Sequence, residues 1–340
     1  MNELVKEFLN KGILLSPNVI NEIKKDDIDE IISKIGSNDV VLTKELYNFF
    51  KRGPTVNVIF EYKKNKRLRK ITDFLEFYNN RLNFLRDVLK EKMKLKDITS
   101  INKLGYGTKA ALIGMIRDVE DNGFRIEDTT GSIFCLSKEK VLEDEVIGVK
   151  GEVVKNGFLV EKIYYPDIPL DRGVKLADED CYALFVEKLD EKPSRLPSYI
   201  FTFTIRRDLL KLKTEIITTN GNAPYPNVYS LNEPFMVDIK GIRVFVLKMN
   251  WIDELKNKLG LNDSKSIIIQ LLRKRHFLPY KFVDGDPYLL RDIPDIIVIS
   301  GLNEQFFFNY KGVSVISLSG KNGYLVNLKN REYETENHHS

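Results

Sequence analysis

The sequence has few of the side chains on which metal centres and disulfide frameworks depend. Only three histidines occur in 340 residues, and two of them, His338 and His339, lie next to the last residue. The two cysteines, Cys135 and Cys181, lie far apart without CxxC spacing, which indicates buried thiols in a reducing compartment. No apolar run of about 18 residues and no signal-peptide pattern occurs. We therefore expect an intracellular, cytoplasmic protein without a disulfide framework, a zinc site or a membrane span.

Charge and hydrophobicity are those of a folded protein with a mild basic excess. Hydrophobic residues make up 43% of the chain, and 53 Lys and Arg against 49 Asp and Glu give a net charge of +4. This balance permits a nucleic-acid partner without requiring one. The densest basic run can neutralise several phosphates, although solvated turns have the same composition. Its candidate contacts are Lys63, Lys64, Lys66, Arg67 and Arg69.

The first half of the chain divides into three predicted units. Apolar residues at helical spacing predict a helical domain over residues 1–53. Residues 43–50 resemble a sliding-clamp peptide, but Thr43 replaces its glutamine and paired aromatics at this spacing are typical of a core, so clamp binding is disfavoured. A strand and a helix predict a connector over 54–103. Five short strands separated by turn signals then predict a small closed barrel over 104–168, at 110–119, 124–127, 132–136, 146–154 and 158–164.

The barrel and the region after it predict an α+β multidomain protein. The one barrel connection that is not a hairpin, residues 137–144, falls between the third and fourth strands, where an OB-fold carries its helix or loop. Prolines at 166 and 169 mark the next boundary. Residues 169–335 mix strands with a helix near 264–275, as in an α+β sandwich, and 336–340 form a tail. Strands are predicted at 181–186, 215–218, 235–239, 243–247, 295–300, 313–318 and 324–328.

Five stretches in order carry a family resemblance. They are DTTGS at 128–132, DEVIGVKG at 144–151, YPDIP at 165–169, LLRKRHFLP at 271–279 and IPDI at 293–296. Together with the order of units, they resemble the small subunit of the archaeal family-D DNA polymerase and, more distantly, the B subunits of eukaryotic replicative polymerases. The resemblance implies an OB-fold barrel followed by a calcineurin-like metallophosphoesterase β-sandwich.

The family's metal-binding motifs, DxH, GD, GNHD, a strand-end His and GHxH, are degenerate at the matching positions. Lys188 stands where the first Asp is expected and Asp190 stands in place of the His. GNHD becomes GNAP, the strand-end His becomes Lys248, and GHxH becomes GLNE. Two cations would activate a water and clamp the phosphate, so the resemblance implies a sandwich that lacks its metal ligands and needs no cofactor. The vestigial positions are Lys188, Asp190, Gly221, Asn222, Ala223, Pro224, Lys248, Gly301, Asn303 and Glu304.

Other side chains leave alternatives open. Asp190, Asn222, Asn303 and Glu304 offer oxygen ligands for one hard cation, whereas Lys188 and Lys248, if adjacent, would bind an anion. The basic stretch Arg273, Lys274 and Arg275 is a candidate contact for nucleic acid or an acidic partner, with a solvated helix face as the alternative. His276 is expected to be a structural or interface residue, because no second histidine lies nearby.

The resemblance implies a non-catalytic accessory subunit of a replicative DNA polymerase, archaeal and nucleoid-associated, that binds a catalytic polymerase subunit. It leaves open whether DNA is contacted directly. A second hypothesis is a stand-alone OB-fold protein that binds single strands, and a third is a residual metal-dependent 3′–5′ exonuclease. In the second, most aromatics are nevertheless expected inside the barrel. Its aromatics are Tyr106, Phe124, Phe134, Phe158 and Tyr164, and its cations are Lys109, Arg117, Arg125 and Lys138.

Overall fold

The protein is a mixed α+β molecule in which sheets dominate. The computed structural model describes residues 3–20, 22–23, 28, 40–44, 47, 55–64, 70–93, 98–219, 225, 227–320 and 322–336. Within these residues, no helix is both long enough and apolar enough to cross a lipid bilayer. The predicted α+β class is confirmed.

The N-terminal segment combines a helix with a small parallel sheet. Helix α1 (Glu3–Asn10) is followed by β1 (Ile13–Leu15), which pairs in parallel with β2 (Val40–Leu42). The predicted helical domain thus also contains a short sheet, which local spacing does not reveal because Ile13–Leu15 pair with a strand far along the chain. Tyr47 is 4% exposed and its hydroxyl donates to the Glu22 carbonyl. It is therefore a core residue, whereas most of the clamp-like segment lies outside the described residues.

Five strands close into a barrel. They are β4 (Lys109–Glu120), β5 (Gly123–Asp128), β6 (Gly131–Leu136), β7 (Val146–Val154) and β8 (Gly157–Tyr164), in the order β4-β5-β6-β8-β7. Alternating residues point inward and make the barrel core, among them Phe124, Ile126, Cys135 and Phe158. All five predicted strands are confirmed. The connection at residues 137–144 is a loop without a helix.

Two six-stranded sheets pack face to face in the C-terminal region. The first sheet has the order β12-β11-β10-β9-β18-β19 and the second β16-β17-β15-β14-β13-β3. The first contains β9 (Tyr182–Leu189), β10 (Tyr199–Ile205), β11 (Glu215–Thr218), β12 (Val228–Ser230), β18 (Gly323–Asn327) and β19 (Tyr333–Glu336). The second contains β3 (Val56–Glu61), β13 (Phe235–Ile239), β14 (Ile242–Lys248), β15 (Ile296–Ser300), β16 (Phe306–Tyr310) and β17 (Val313–Ser317).

A large apolar core fills the space between the two sheets. Two helices, α3 (Ile252–Leu259) and α4 (Ser264–Lys274), pack through a second core against the outer face of the second sheet. Asp263 caps α4, since its carboxylate accepts hydrogen bonds from the backbone N–H groups of Lys265 and Ser266. The resulting layers are sheet on sheet with helices on one side.

The predicted connector does not form a unit of its own. Its strand, β3, pairs antiparallel with β13 and becomes an edge strand of the second sheet. Its helix, α2 (Ile71–Met93), packs instead on the barrel strands β4 and β7 through Leu82, Leu85 and Leu89. The stretch 54–103 therefore contributes its strand to the sandwich and its helix to the barrel. Local periodicity identified both elements but contained no information about their partners.

Candidate functional site

The vestigial motif positions lie at one end of the sandwich. Lys188 is near the end of β9, Lys248 ends β14 and Gly301 follows β15. The carboxyl ends of the parallel strands of both sheets meet here, because the backbone N–H of Gly320, after β17, donates to the Glu187 carboxylate of β9 at 3.0 Å. Open α/β sheets bind ligands at such ends, so this end is the candidate site.

Lys188 and Asp190 bind each other. The Lys188 ammonium lies 2.9 Å from the Asp190 carboxylate, and the two side chains are 56% and 38% exposed. A lysine ammonium is only a hydrogen-bond donor and cannot ligate a metal while it is charged. These two positions therefore form a partly exposed ion pair in place of two ligands.

Lys248 and Gly301 are adjacent in space. Gly301 has a φ of 83°, and an added Cβ would lie 2.6 Å from the Asn250 Oδ1 and 3.3 Å from the Lys248 Cγ. The glycine therefore permits a close approach between two strand ends. Lys248 also lowers the pKa of nearby Glu233, although burial of that carboxyl raises its pKa overall.

Glu304 is engaged with the helices. Its carboxylate accepts a hydrogen bond from the Ser264 hydroxyl at 2.7 Å, at the start of α4, and lies 3.8 Å from the Lys256 ammonium of α3. Asn303 is exposed, and residues 221–224 lie outside the described part of the chain. Asp190 and Glu304 thus each have a partner within the protein, and the described residues contain no group of three or more His, Cys, Asp or Glu side chains that could hold a metal ion. Two lysines and an internal ion pair do not fit a binuclear centre of divalent cations.

A buried charged network, which the sequence analysis missed, joins α2, the barrel and the sandwich. Arg81 of α2 is fully buried and donates two hydrogen bonds to the Asp286 carboxylate, both at 2.8 Å. Its third nitrogen donates to the carbonyls of Pro279 and Asp144. A signal was present, since Arg81 lies on the apolar stripe of α2 with Phe77 and Leu85, where a charge must be paired.

His276 belongs to the same network and not to a surface. It is 2% exposed, and its Nδ1 accepts the backbone N–H of Leu278 at 2.9 Å. The proton of the neutral ring is therefore on Nε2, which donates to Asp286 at 2.8 Å. Burial, together with the positive charge of Arg81, lowers the pKa of His276 to about 4 although Asp286 opposes this. The sequence-based expectation of a structural histidine fits this arrangement.

Two of the three basic-stretch candidates are buried, as is the neighbouring His276, which corrects their assignment as contacts. Lys274 is 2% exposed and forms a salt bridge with buried Glu145 of the barrel. Arg275 is 7% exposed, has a φ of 52° and donates to the Asp167 carbonyl. Like His276, they hold elements together and do not face solvent. Arg273 is half-buried, with its guanidinium 4.6 Å from the centre of the Tyr165 ring.

Asp167 links three elements. Its carboxylate accepts from Lys92 of α2, from Lys311 and from the Tyr310 hydroxyl of β16, while its backbone N–H donates to the Arg273 carbonyl of α4. Burial alone would raise the pKa of Asp167, but Lys311 and Lys92 hold it below its ordinary value. The YPDIP stretch is therefore a structural link and not a ligand site.

His276→Gln is expected to remove part of the acid sensitivity of the protein. The pKa of this histidine is 6.5 when unfolded and about 4 when folded, so the unfolded state binds the proton first. As the pH falls from 6.5 to about 4, the free energy of unfolding of the wild type should decrease by about 1.4 kcal/mol per pH unit, or roughly 3 kcal/mol in all. Glutamine retains a donor toward Asp286 and does not titrate. Urea unfolding of wild type and His276→Gln at pH 7 and pH 4.5 measures how much stability each protein loses on acidification. Equal losses of unfolding free energy in the two proteins would contradict the prediction.

Three of the four predicted cations of the barrel are paired with carboxylates. Lys109 lies 3.9 Å from Glu152, Arg125 lies 3.3 Å from Asp118, and Arg117 lies 2.9 Å from Glu127 and 3.0 Å from Asp144. Lys138 is exposed on the 137–144 loop. Of the basic run, Lys63 and Lys64 are exposed, with Lys63 at 3.9 Å from Glu61, whereas Lys66, Arg67 and Arg69 lie outside the described residues.

The five predicted barrel aromatics separate into two groups. Phe124 and Phe158 fill the barrel interior, and Tyr164 packs in the cluster between the barrel and α2. Phe134 is half-buried on β6 and Tyr106 is exposed. Two of the five rings therefore lie inside the barrel, and the expectation that most of them are internal was wrong.

Comparison with known proteins finds relatives along the chain. No family model matches. A DNA polymerase II small subunit from Archaeoglobus fulgidus is 22% identical over 442 aligned positions, covering 93% of this chain and 90% of the relative. The Methanothermobacter thermautotrophicus counterpart is 22% identical over 93% of this chain and 92% of its own length. That of Pyrococcus furiosus is 31% identical over 134 residues, which are 34% of this chain and 22% of the relative.

The alignments also show a difference in length. The 442 aligned positions exceed the 340 residues of this chain, so the relative carries segments that this chain lacks. Among solved structures, an archaeal phosphodiesterase covers 45% of this chain and 98% of its own at 11% identity, with a TM-score of 0.28. Vps29 from Entamoeba histolytica covers 46% and 97% at 10% identity, with a TM-score of 0.24.

Proposed function

The chain is a homologue of the archaeal DNA polymerase II small subunits, and from this we propose that it is a non-catalytic accessory subunit of a replicative DNA polymerase. It binds a catalytic polymerase subunit and acts as a scaffold. The observation that carries the proposal is similarity over 93% of the chain to proteins that all bear this name. A protein that shared only a barrel or only a sandwich would match over a fraction of its length.

The architecture supports the same proposal. The barrel order β4-β5-β6-β8-β7 suits an OB-fold, and the two packed sheets with helices outside suit a calcineurin-like phosphoesterase domain. We accordingly propose units at residues 1–53, 104–168 and 169–335, with α2 and β3 shared as described above. The apolar cores are intact, whereas the strand ends carry Lys188 and Lys248. Retained cores without fitting ligands suit a scaffold better than a hydrolase.

Two measurements test this proposal. Affinity purification of the full chain from its native organism is expected to recover a large polymerase subunit in stoichiometric amount. The purified chain with Mn²⁺ is expected to release no more nucleotide from a labelled single strand than buffer does, because the residues at the strand ends do not form a two-metal site. Metal-dependent cleavage by the purified chain, or a chain that is a free monomer in its host, would contradict the proposal.

A further inference from the structure

Tyr106 is an exposed aromatic side chain that does not contribute to the hydrophobic cores of the described residues. It is 83% exposed, lies between Gly105 and Gly107, and belongs to none of the apolar clusters among the described residues. Gly107 has a φ of 74°, which a glycine adopts without strain. An aromatic ring usually stabilises a protein by burying its apolar surface. A ring held out in solvent on a short loop is therefore available to another molecule.

The Tyr106 loop lies beside the turn between β7 and β8. The Gly107 N–H donates to the Val153 carbonyl, and the Val153 N–H donates to the Thr108 carbonyl, both at 2.9 Å. Lys155 is exposed on this turn, and Lys103 is exposed three residues before Tyr106. Neither lysine has an ion-pair partner within the part of the chain that the structure describes. Two exposed lysines without such a partner therefore belong to the Tyr106 loop region, one on the β7–β8 turn and one three residues earlier in the chain.

A second aromatic and a third cation lie on the other side of the turn. Arg125 of β5 and Phe134 of β6 are directly paired, and both point outward because their neighbours Phe124 and Cys135 point into the barrel. Gly157 brings the turn against this strand, since an added Cβ there would lie 2.3 Å from the Phe134 carbonyl oxygen. The turn at residues 155–156 therefore connects the Tyr106 loop to Phe134 and Arg125.

The geometry points to a binding surface for single-stranded nucleic acid, formed by Lys103, Tyr106, Arg125, Phe134 and Lys155. Unpaired bases would stack on the two rings, and the cations would lie along the phosphates. The nearby carboxylates are Asp118, which pairs with Arg125 at 3.3 Å, and Glu152, which pairs with Lys109 at 3.9 Å. Both pairs are solvent-exposed, and such pairs are weak enough to exchange a carboxylate for a phosphate.

The inference deepens the proposed function, which leaves open how DNA is contacted. Duplex DNA does not offer base faces for stacking, so the surface should prefer single strands. The full chain is mixed with a fluorescent oligothymidylate of about 15 nucleotides, and anisotropy is measured at about 50 and 200 mM salt. Tyr106→Ala is expected to weaken binding about tenfold, whereas Tyr106→Phe, which retains the ring, should stay within about twofold of wild type.

A charge variant separates phosphate contact from stacking. Lys155→Glu is expected to weaken binding and to reduce the salt slope by about one. The matched control is Lys213→Glu, an exposed lysine of the sandwich, which should bind like wild type. Co-purification of the polymerase subunit with Tyr106→Ala is expected to be unchanged.

Three results would overturn the inference. These are no binding of the oligonucleotide at 50 mM salt, equal affinities for wild type and Tyr106→Ala, and loss of the polymerase subunit from Tyr106→Ala with oligonucleotide binding unaffected. The last result would make the surface a protein contact. Because partner recovery and oligonucleotide affinity are read separately, failure here is distinguishable from failure of the proposed function.

Discussion

Replacement of Arg81 with methionine is expected to lower the free energy of unfolding by roughly 3–5 kcal/mol. The guanidinium is fully buried and holds the Asp286 carboxylate, two carbonyls and, through Asp286, the His276 ring. Methionine fills part of the volume but leaves a buried carboxylate without its charged partner and two carbonyls without donors. The free-energy cost of leaving those buried polar groups unpaired exceeds the stabilisation gained by burying the apolar methionine side chain.

The control for this prediction lies on the same helix. Arg86 of α2 is half-buried and donates to Asn83, one turn away. Arg86→Met should therefore cost no more than about 1 kcal/mol. Thermal and urea unfolding, followed by both near- and far-ultraviolet circular dichroism, would compare the two variants with wild type. Similar midpoints for Arg81→Met and Arg86→Met would show that the network contributes little.

Lys274→Met is the second substitution with a large expected effect, again roughly 3–5 kcal/mol. It leaves Glu145, which is 2% exposed, as an uncompensated charge between the barrel and α4. Burial already raises the pKa of Glu145, and Lys274 opposes that rise. Without the lysine, the folded pKa should rise further above the unfolded value. The stability that Lys274→Met loses relative to wild type should therefore be small at a pH below the unfolded-state pKa of Glu145. It should grow as the pH rises through the folded-state pKa of Glu145.

A double substitution distinguishes the cost of an unpaired charge from the loss of a useful bond. Lys274→Met combined with Glu145→Leu removes both charges, and it should recover stability to within about 1–2 kcal/mol of wild type. Lys281→Met, at a partly exposed pair with Glu254, is the matched control and should cost about 1 kcal/mol or less. If the double variant is no more stable than Lys274→Met, or if the loss does not change with pH, packing and not charge accounts for the effect.

The barrel was predictable because its information is local. Each strand is a short run rich in apolar residues, and turn residues such as Asn122, Gly123 and Gly157 separate the runs. The seven strands predicted in the sandwich are also observed. Missed elements include β10 and β16, although both are rich in aromatic and β-branched residues that favour strands. For β10, the proline- and charge-rich stretch before it obscured the signal.

What the sequence did not disclose is long-range partnership. The pairing of β3 with β13 joins residues almost 180 positions apart, and no spacing rule contains that information. Burial of Lys274 and Arg275 was likewise unpredictable, because a run of cations has the composition of a solvated face until Glu145 and Asp167 are known to lie opposite. At the candidate site, Lys188, Lys248 and Gly301 lie at or near strand ends, as their motif positions predicted. The pairing of Lys188 with Asp190 and of Glu304 with Ser264 required coordinates.

Helix α2 is fixed at two points along its length. Arg81 reaches the sandwich loop at Asp286, and Lys92 reaches Asp167 between the barrel and the sandwich. Eleven residues of helix separate the two anchors, or about 16 Å. A single covalent linker would leave the barrel free to pivot against the sandwich, whereas two anchors on one rigid rod remove that rotation. A molecule bound to the barrel is therefore held at a constant angle and distance from a molecule bound to the sandwich.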